Sequence, residues 1–142
     1  MNTVKSTTQT KADHDVLDLA MEHTIQILER HNNIVSEPQW IELHKVLGSF
    51  VYTIAHPEQQ RRSAFPLPCG AGKTTAVRGF CRAVHELDRP YRIVICAEKI
   101  EALCELKRNL ADEDKIPASK VSLLHSYDHD PNFDVESPEP NT

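Results

Sequence analysis

The chain has 142 residues, 39% apolar and 26% charged, and its 16 Lys and Arg against 21 Asp and Glu give a formal net charge of −5. That length allows one domain with one hydrophobic core, and the acidic balance argues against a protein that coats nucleic acid through bulk positive charge. Cys69, Cys81, Cys96 and Cys104 show no C-x-x-C spacing, no apolar run approaches the length of a membrane span, and the polar start has no apolar signal core. A reduced, cytoplasmic setting without a membrane partner is expected.

Residues 1–12 are rich in Thr, Ser, Lys and Gln without apolar periodicity and read as a disordered arm. Residues 13–31 follow as a helix, with Leu17, Met21, Ile25 and Leu28 on one stripe and Asp13, Asp15, Asp18, Glu22 and Glu29 making it acidic. Asn32 and Asn33 end it. Ser36 and Gln39 form a capping-box start for a second helix to residue 55, with Trp40, Leu43, Leu47, Phe50 and Ile54 along one face. The two helices make a helical region over 13–57.

From Arg62 the pattern changes to alternating strands and helices, which predicts an α/β fold with a parallel sheet. The first strand is expected at 63–67, with Pro66 and Pro68 near its end, and a helix at 72–87 carries Ala76, Val77, Phe80, Cys81 and Val84. A second strand at 91–97 has the continuous apolar run Ile93-Val94-Ile95-Cys96 of a strand buried on both faces. A helix at 100–111 uses Ile100, Leu103, Leu106 and Leu110, and a third strand is expected at 121–125. Residues 127–142 read as an acidic, proline-containing disordered tail, and His125 with Asp128, His129, Asp130 and Asp134 of this flexible segment lack the fixed geometry a metal needs.

Between the first expected strand and its helix lies Pro68-Cys69-Gly70-Ala71-Gly72-Lys73-Thr74-Thr75. Two glycines let the backbone curl into a nest of N–H donors, and the following helix points its positive end at the same place. Cys69, Gly70, Ala71, Gly72, Lys73, Thr74 and Thr75 are therefore the candidate nucleotide-binding set. Lys73 would place a charge on the terminal phosphates, the Thr74 hydroxyl would ligate an accompanying magnesium ion, and Thr75 extends the helix. The pattern G-x-x-x-x-G-K-[ST] is one glycine short, since Leu67 stands six residues before Lys73. Cys69 reads as a small, half-buried filler, with an oxidation-sensitive thiol as the other reading. Arg61, Arg62, Arg78 and Arg82 gather positive charge around this stretch.

The segment 65–74 resembles motif I of superfamily 1 and 2 helicases and translocases, and 92–99 with its following helix looks like their motif Ia. The resemblance covers residues 58–126. It implies a partial P-loop, RecA-like three-layer sandwich with a mainly parallel sheet preceded by two amphipathic helices, binding ATP and Mg2+. It also implies nucleic acid tracking over the carboxyl ends of the strands, and a glutamine that reads adenine, for which Gln59 or Gln60 is the candidate. No apolar strand ending in Asp-Glu follows Lys73, so a Walker B acid is missing and no catalytic residue is identified. On this resemblance the chain is a truncated or split helicase-like ATPase module, completed by a second chain that supplies Walker B and a second RecA-like domain. The alternative is a nucleotide-sensing regulatory or protein-interaction module without enzymatic activity. A small P-loop phosphotransferase ranks third, since it shares the missing acid and has no arginine-rich lid.

Overall fold

The structure is a computed structural model that describes residues 2–59 and 61–124, with side chains from residue 13 onward. Its elements are α1 (Asn2–Arg30), α2 (Glu37–Ala55), α3 (Lys73–Glu86) and α4 (Ile100–Asp112), followed by a 3-10 turn at Ala118–Lys120. Among the described residues there is no β-strand. The chain divides into two compact units, residues 1–95 and residues 96–142.

Local chemistry accounts for the helix ends. α1 stops at Asn32, which takes a left-handed conformation (φ 59°), while the Asn33 amide reaches back to the Leu28 carbonyl at 2.9 Å. Ser36 caps α2, its hydroxyl accepting from the Gln39 amide at 3.3 Å, and Pro57 follows its last turn. Asp88, at φ 50°, closes α3 as the Arg89 amide bonds the Val84 carbonyl at 3.0 Å. α1 begins at Asn2, ahead of the start expected at residue 13.

In the first unit α1 is the central helix, packed most extensively on α3, then on α2, with α2 and α3 touching less. Its buried positions are Val16, Ala20, Met21, His23, Thr24, Ile27 and Leu28, a face wider than the single stripe of the sequence because two helices share it. Leu43 and Leu47 of α2 are fully buried. Phe50 of α2 meets Phe80 of α3 edge to face at 5.3 Å between ring centroids.

The α1–α3 contact depends on small residues. Ala76, Gly79 and Ala83 of α3 are all buried, and a methyl group added at Gly79 would lie 2.8 Å from the Ala20 carbonyl and 3.0 Å from the Thr24 amide. Thr24 spends its own hydroxyl on that same Ala20 carbonyl, donating at 2.7 Å. Across the same interface, buried His23 donates from Nε2 to Glu86 at 2.9 Å, and Arg82 bonds the other Glu86 oxygen at 3.2 Å. In the second unit Leu106, Leu110 and Ile116 are buried, with Ile100 and Leu103 half-buried.

The α/β expectation is corrected. Residues 63–67, 91–97 and 121–124 all lack strand pairing. A strand is stable only against a neighbour, and an apolar run has no ladder of its own to form. Val94 is 86% exposed and Leu124 89%, so these runs do not form the twice-covered interior of a parallel sheet. Pro66 and Pro68 further remove amide donors from the first expected strand. The core is supplied by helices packing on one another.

A RecA-like domain is organised around a parallel sheet, so the P-loop NTPase and helicase-like resemblance fails on the fold. The hydrolase, motor and Walker A assignments rested on that resemblance and fall with it. The expected tail, residue 125 of the third strand, the acidic and histidine cluster and Gln60 lie outside the described residues.

Candidate anion-binding site

The glycine-rich loop keeps a definite conformation without its strand. The Ala71 amide donates to the Pro68 carbonyl at 3.2 Å, closing a four-residue turn, and Gly70 takes φ 83° at the third position, where a type II turn requires a positive value. Gly72 is left-handed (φ 98°, ψ 22°) and serves as the N-cap of α3, its carbonyl accepting from the Ala76 amide at 2.8 Å. Positive φ at both positions is the conformation glycine adopts at no steric cost.

The α1–α2 core holds this loop. A methyl group added at Gly72 would come within 3.2 Å of Leu28 Cδ1 and 3.6 Å of Leu43 Cδ2, so the bare Cα rests on the two leucines. Gln39, from the first turn of α2, donates its side-chain amide to the Ala71 carbonyl at 3.1 Å. Loop and helix pair are thereby joined from below and from the side.

The start of α3 has no side-chain cap. The first amides of a helix have no carbonyl within it to bond, and the helix dipole makes that end electropositive. Lys73 opens α3 and turns back so that Nζ donates to the Leu67 carbonyl at 2.9 Å. Lys73 and Thr74 are exposed and Thr75 is half-buried, so the ammonium and the Thr74 hydroxyl lie at the surface of the loop.

The remaining expectations divide. Cys69 is exposed, so it is not the half-buried filler its place in the loop implied. Gln59 accepts from the Tyr52 hydroxyl at 2.9 Å, and Tyr52 also stacks on His56 and lies under Arg61. The glutamine that does touch the loop is Gln39, which sequence reasoning placed only in a capping box; its second use depends on how α2 folds back and has no local signature. Arg78 is buried in α3. Among the described residues no group of three or more His, Cys, Asp or Glu is placed to hold a metal, and no helix is long and apolar enough to cross a membrane.

A cavity of about 390 Å³ opens beside the loop. Asn33, Pro38, Gln39 and Glu42 form one wall, and Leu67 to Ala71 form the other. Lys45 donates to Glu42 Oε1 at 2.8 Å, which offsets part of the carboxylate's charge at its rim.

Comparison with known proteins gives no matching family model, no matching curated protein and no matching solved structure. Function must therefore be argued from the loop and the cavity.

Proposed function

We propose that residues 69–75 bind the phosphate groups of a nucleoside triphosphate with its magnesium, in a helical module that senses the nucleotide and does not turn it over. The observation carrying this reading is the uncapped start of α3 directly behind two glycines of positive φ. Such a turn aims successive backbone amides at one point, where a phosphate replaces the missing cap. Lys73 supplies the point charge once it exchanges the Leu67 carbonyl for a phosphate oxygen, and Thr74 is the hydroxyl nearest the helix start that can reach the metal. No residue is assigned to activating water, so binding alone is expected. The four free cysteines support a reducing, intracellular setting for such a sensor.

Calorimetric titration of magnesium nucleoside triphosphate into the parent protein and Lys73→Ala tests this. A charge-assisted hydrogen bond contributes about 1.5–3 kcal/mol, so the variant should bind roughly 10- to 100-fold more weakly. Lys73 is exposed, and its circular dichroism spectrum should match the parent's. Equal affinities would remove the loop from the binding site.

A further inference from the structure

The cavity beside the loop has a chemistry different from that of the helix start. Pro38, Leu67 and Pro68 give it apolar walls, and Asn33, Gln39 and Glu42 also line it, with the Gln39 amide donating to the Ala71 carbonyl and leaving only a small polar share of the surface. A volume of about 390 Å³ falls in the range, roughly 300–1,000 Å³, of pockets that enclose small organic ligands. Apolar plates combined with a few hydrogen-bonding groups suit a flat heteroaromatic ring with polar edges, and do not suit a bare anion.

Position connects the two. Cys69, Gly70 and Ala71 line the cavity, and α3 begins at Lys73 two residues further on. Three residues of chain span at most on the order of 10 Å, so a single nucleotide can reach from the cavity to the first turn of α3. We infer that the cavity holds the base of the nucleotide, that this base carries an exocyclic amino group, and that Glu42 accepts a hydrogen bond from that group. The inference rests on the phosphate-binding reading of the loop and adds the substrate class to it.

Glu42 suits the part. It is half-buried on the α2 wall, and its pairing with Lys45 reduces the repulsion a bare carboxylate would exert on a triphosphate. A carboxylate accepts from an amino group and has nothing to offer the keto oxygen that replaces it in a deaminated base. Bases lacking the amino group should therefore bind less well.

Two readouts test this on the full chain. In calorimetry with magnesium, ATP and GTP are compared with inosine triphosphate, which lacks the exocyclic amino group of either, and with tripolyphosphate, which lacks a base. The expected result is that ATP or GTP binds about tenfold or more tightly than tripolyphosphate, equivalent to about 1.4 kcal/mol, with inosine triphosphate in between. Glu42→Gln should bring the affinity ratio of the amino-bearing nucleotide to tripolyphosphate down to that of the inosine nucleotide, a ratio from which any general gain on removing the carboxylate charge cancels. In the second readout, iodoacetamide labelling resolved by peptide mass compares Cys69 with Cys96, which is also exposed but does not line the cavity. At matched occupancy the nucleotide should slow labelling of Cys69 more than tripolyphosphate does, and leave Cys96 unaffected.

Equal affinity for nucleotides and tripolyphosphate would overturn the base site while the phosphate reading stands. Nucleotide preference with no effect of Glu42→Gln and no shielding of Cys69 would place the base elsewhere and also overturn it. Failure of every ligand to bind would bring down both readings.

Discussion

Replacing Gly79 with alanine puts a methyl group where α1 and α3 leave no room for one. Helix propensity alone favours the change, since alanine in a helix interior is better than glycine by about 0.8–1.0 kcal/mol. Geometry opposes it: the new Cβ would meet the Thr24 hydroxyl oxygen, the Ala20 carbonyl at 2.8 Å and the Thr24 amide at 3.0 Å. Two of these three obstacles are backbone atoms of α1, which cannot rotate aside, so relief requires the helices to separate and loosen the packing around Phe80 and Ala83. Overpacking of this kind costs about 1–3 kcal/mol and more when backbone must move. Net of the propensity gain, a loss of up to about 2 kcal/mol follows, which lowers the midpoint of thermal unfolding by up to roughly 4–16 °C across the size range that brackets this chain. Gly48 provides the control. It lies inside α2 with nothing within 4 Å of its would-be Cβ, so Gly48→Ala should gain about 0.5–1 kcal/mol and raise the midpoint. Thermal melts followed by far-ultraviolet circular dichroism compare the two variants directly. Equal stabilisation by both substitutions would refute the close α1–α3 approach.

Further outcomes follow from the same contacts. Burial opposes ionisation of Glu86, but the hydrogen bond and charge of His23, then those of Arg82, outweigh it and hold the carboxyl below the ordinary glutamate range. Its contribution is thus complete above the unfolded value of about pH 4.3 and is lost as pH falls through the lower folded value. With the Glu86 side chain 40% exposed, solvent limits the effect to under about 1 kcal/mol. Glu86→Gln should flatten that acid limb in urea melts taken across the range, and an unchanged limb would show that the His23 and Arg82 contacts leave its acidity unaltered. Gly72→Ala should cost about 1–2 kcal/mol for the left-handed backbone, with a further penalty from Leu28 Cδ1 at 3.2 Å, and should abolish triphosphate binding. A variant as stable as the parent in the same melts would show that the loop does not depend on the glycine at this position.

The helices were the legible part of this chain. Ser36 and Gln39 marked the start of α2, and Phe80 and Val84 the buried face of α3, because capping and amphipathic spacing are local signals. The sheet was misread because Ile93-Val94-Ile95-Cys96 carries strand propensity and an apolar run, yet a strand depends on partners that no local pattern supplies. The glycine loop then lent weight to the error, since a strand is the usual element before such a turn; here Leu28, Leu43 and Gln39 hold the loop instead. The α1–α3 interface was missed for another reason. Ala20, Thr24, Gly79 and Ala83 are small and carry little hydrophobic signal, although their smallness is what lets the helices meet. Trp40 shows the opposite effect: its side chain marked a buried position, but it remains 41% exposed and stacks on His44 at 5.0 Å.

The most direct test of phosphate binding at the start of α3 is a titration of isotope-labelled protein with magnesium nucleoside triphosphate, followed through the backbone amide resonances. The amides of Gly70, Gly72, Lys73, Thr74 and Thr75 should shift together and saturate at one ligand per chain, as N–H groups do on gaining an anionic acceptor. Saturable shifts confined to other residues, or none at ligand concentrations well into the millimolar range, would contradict it.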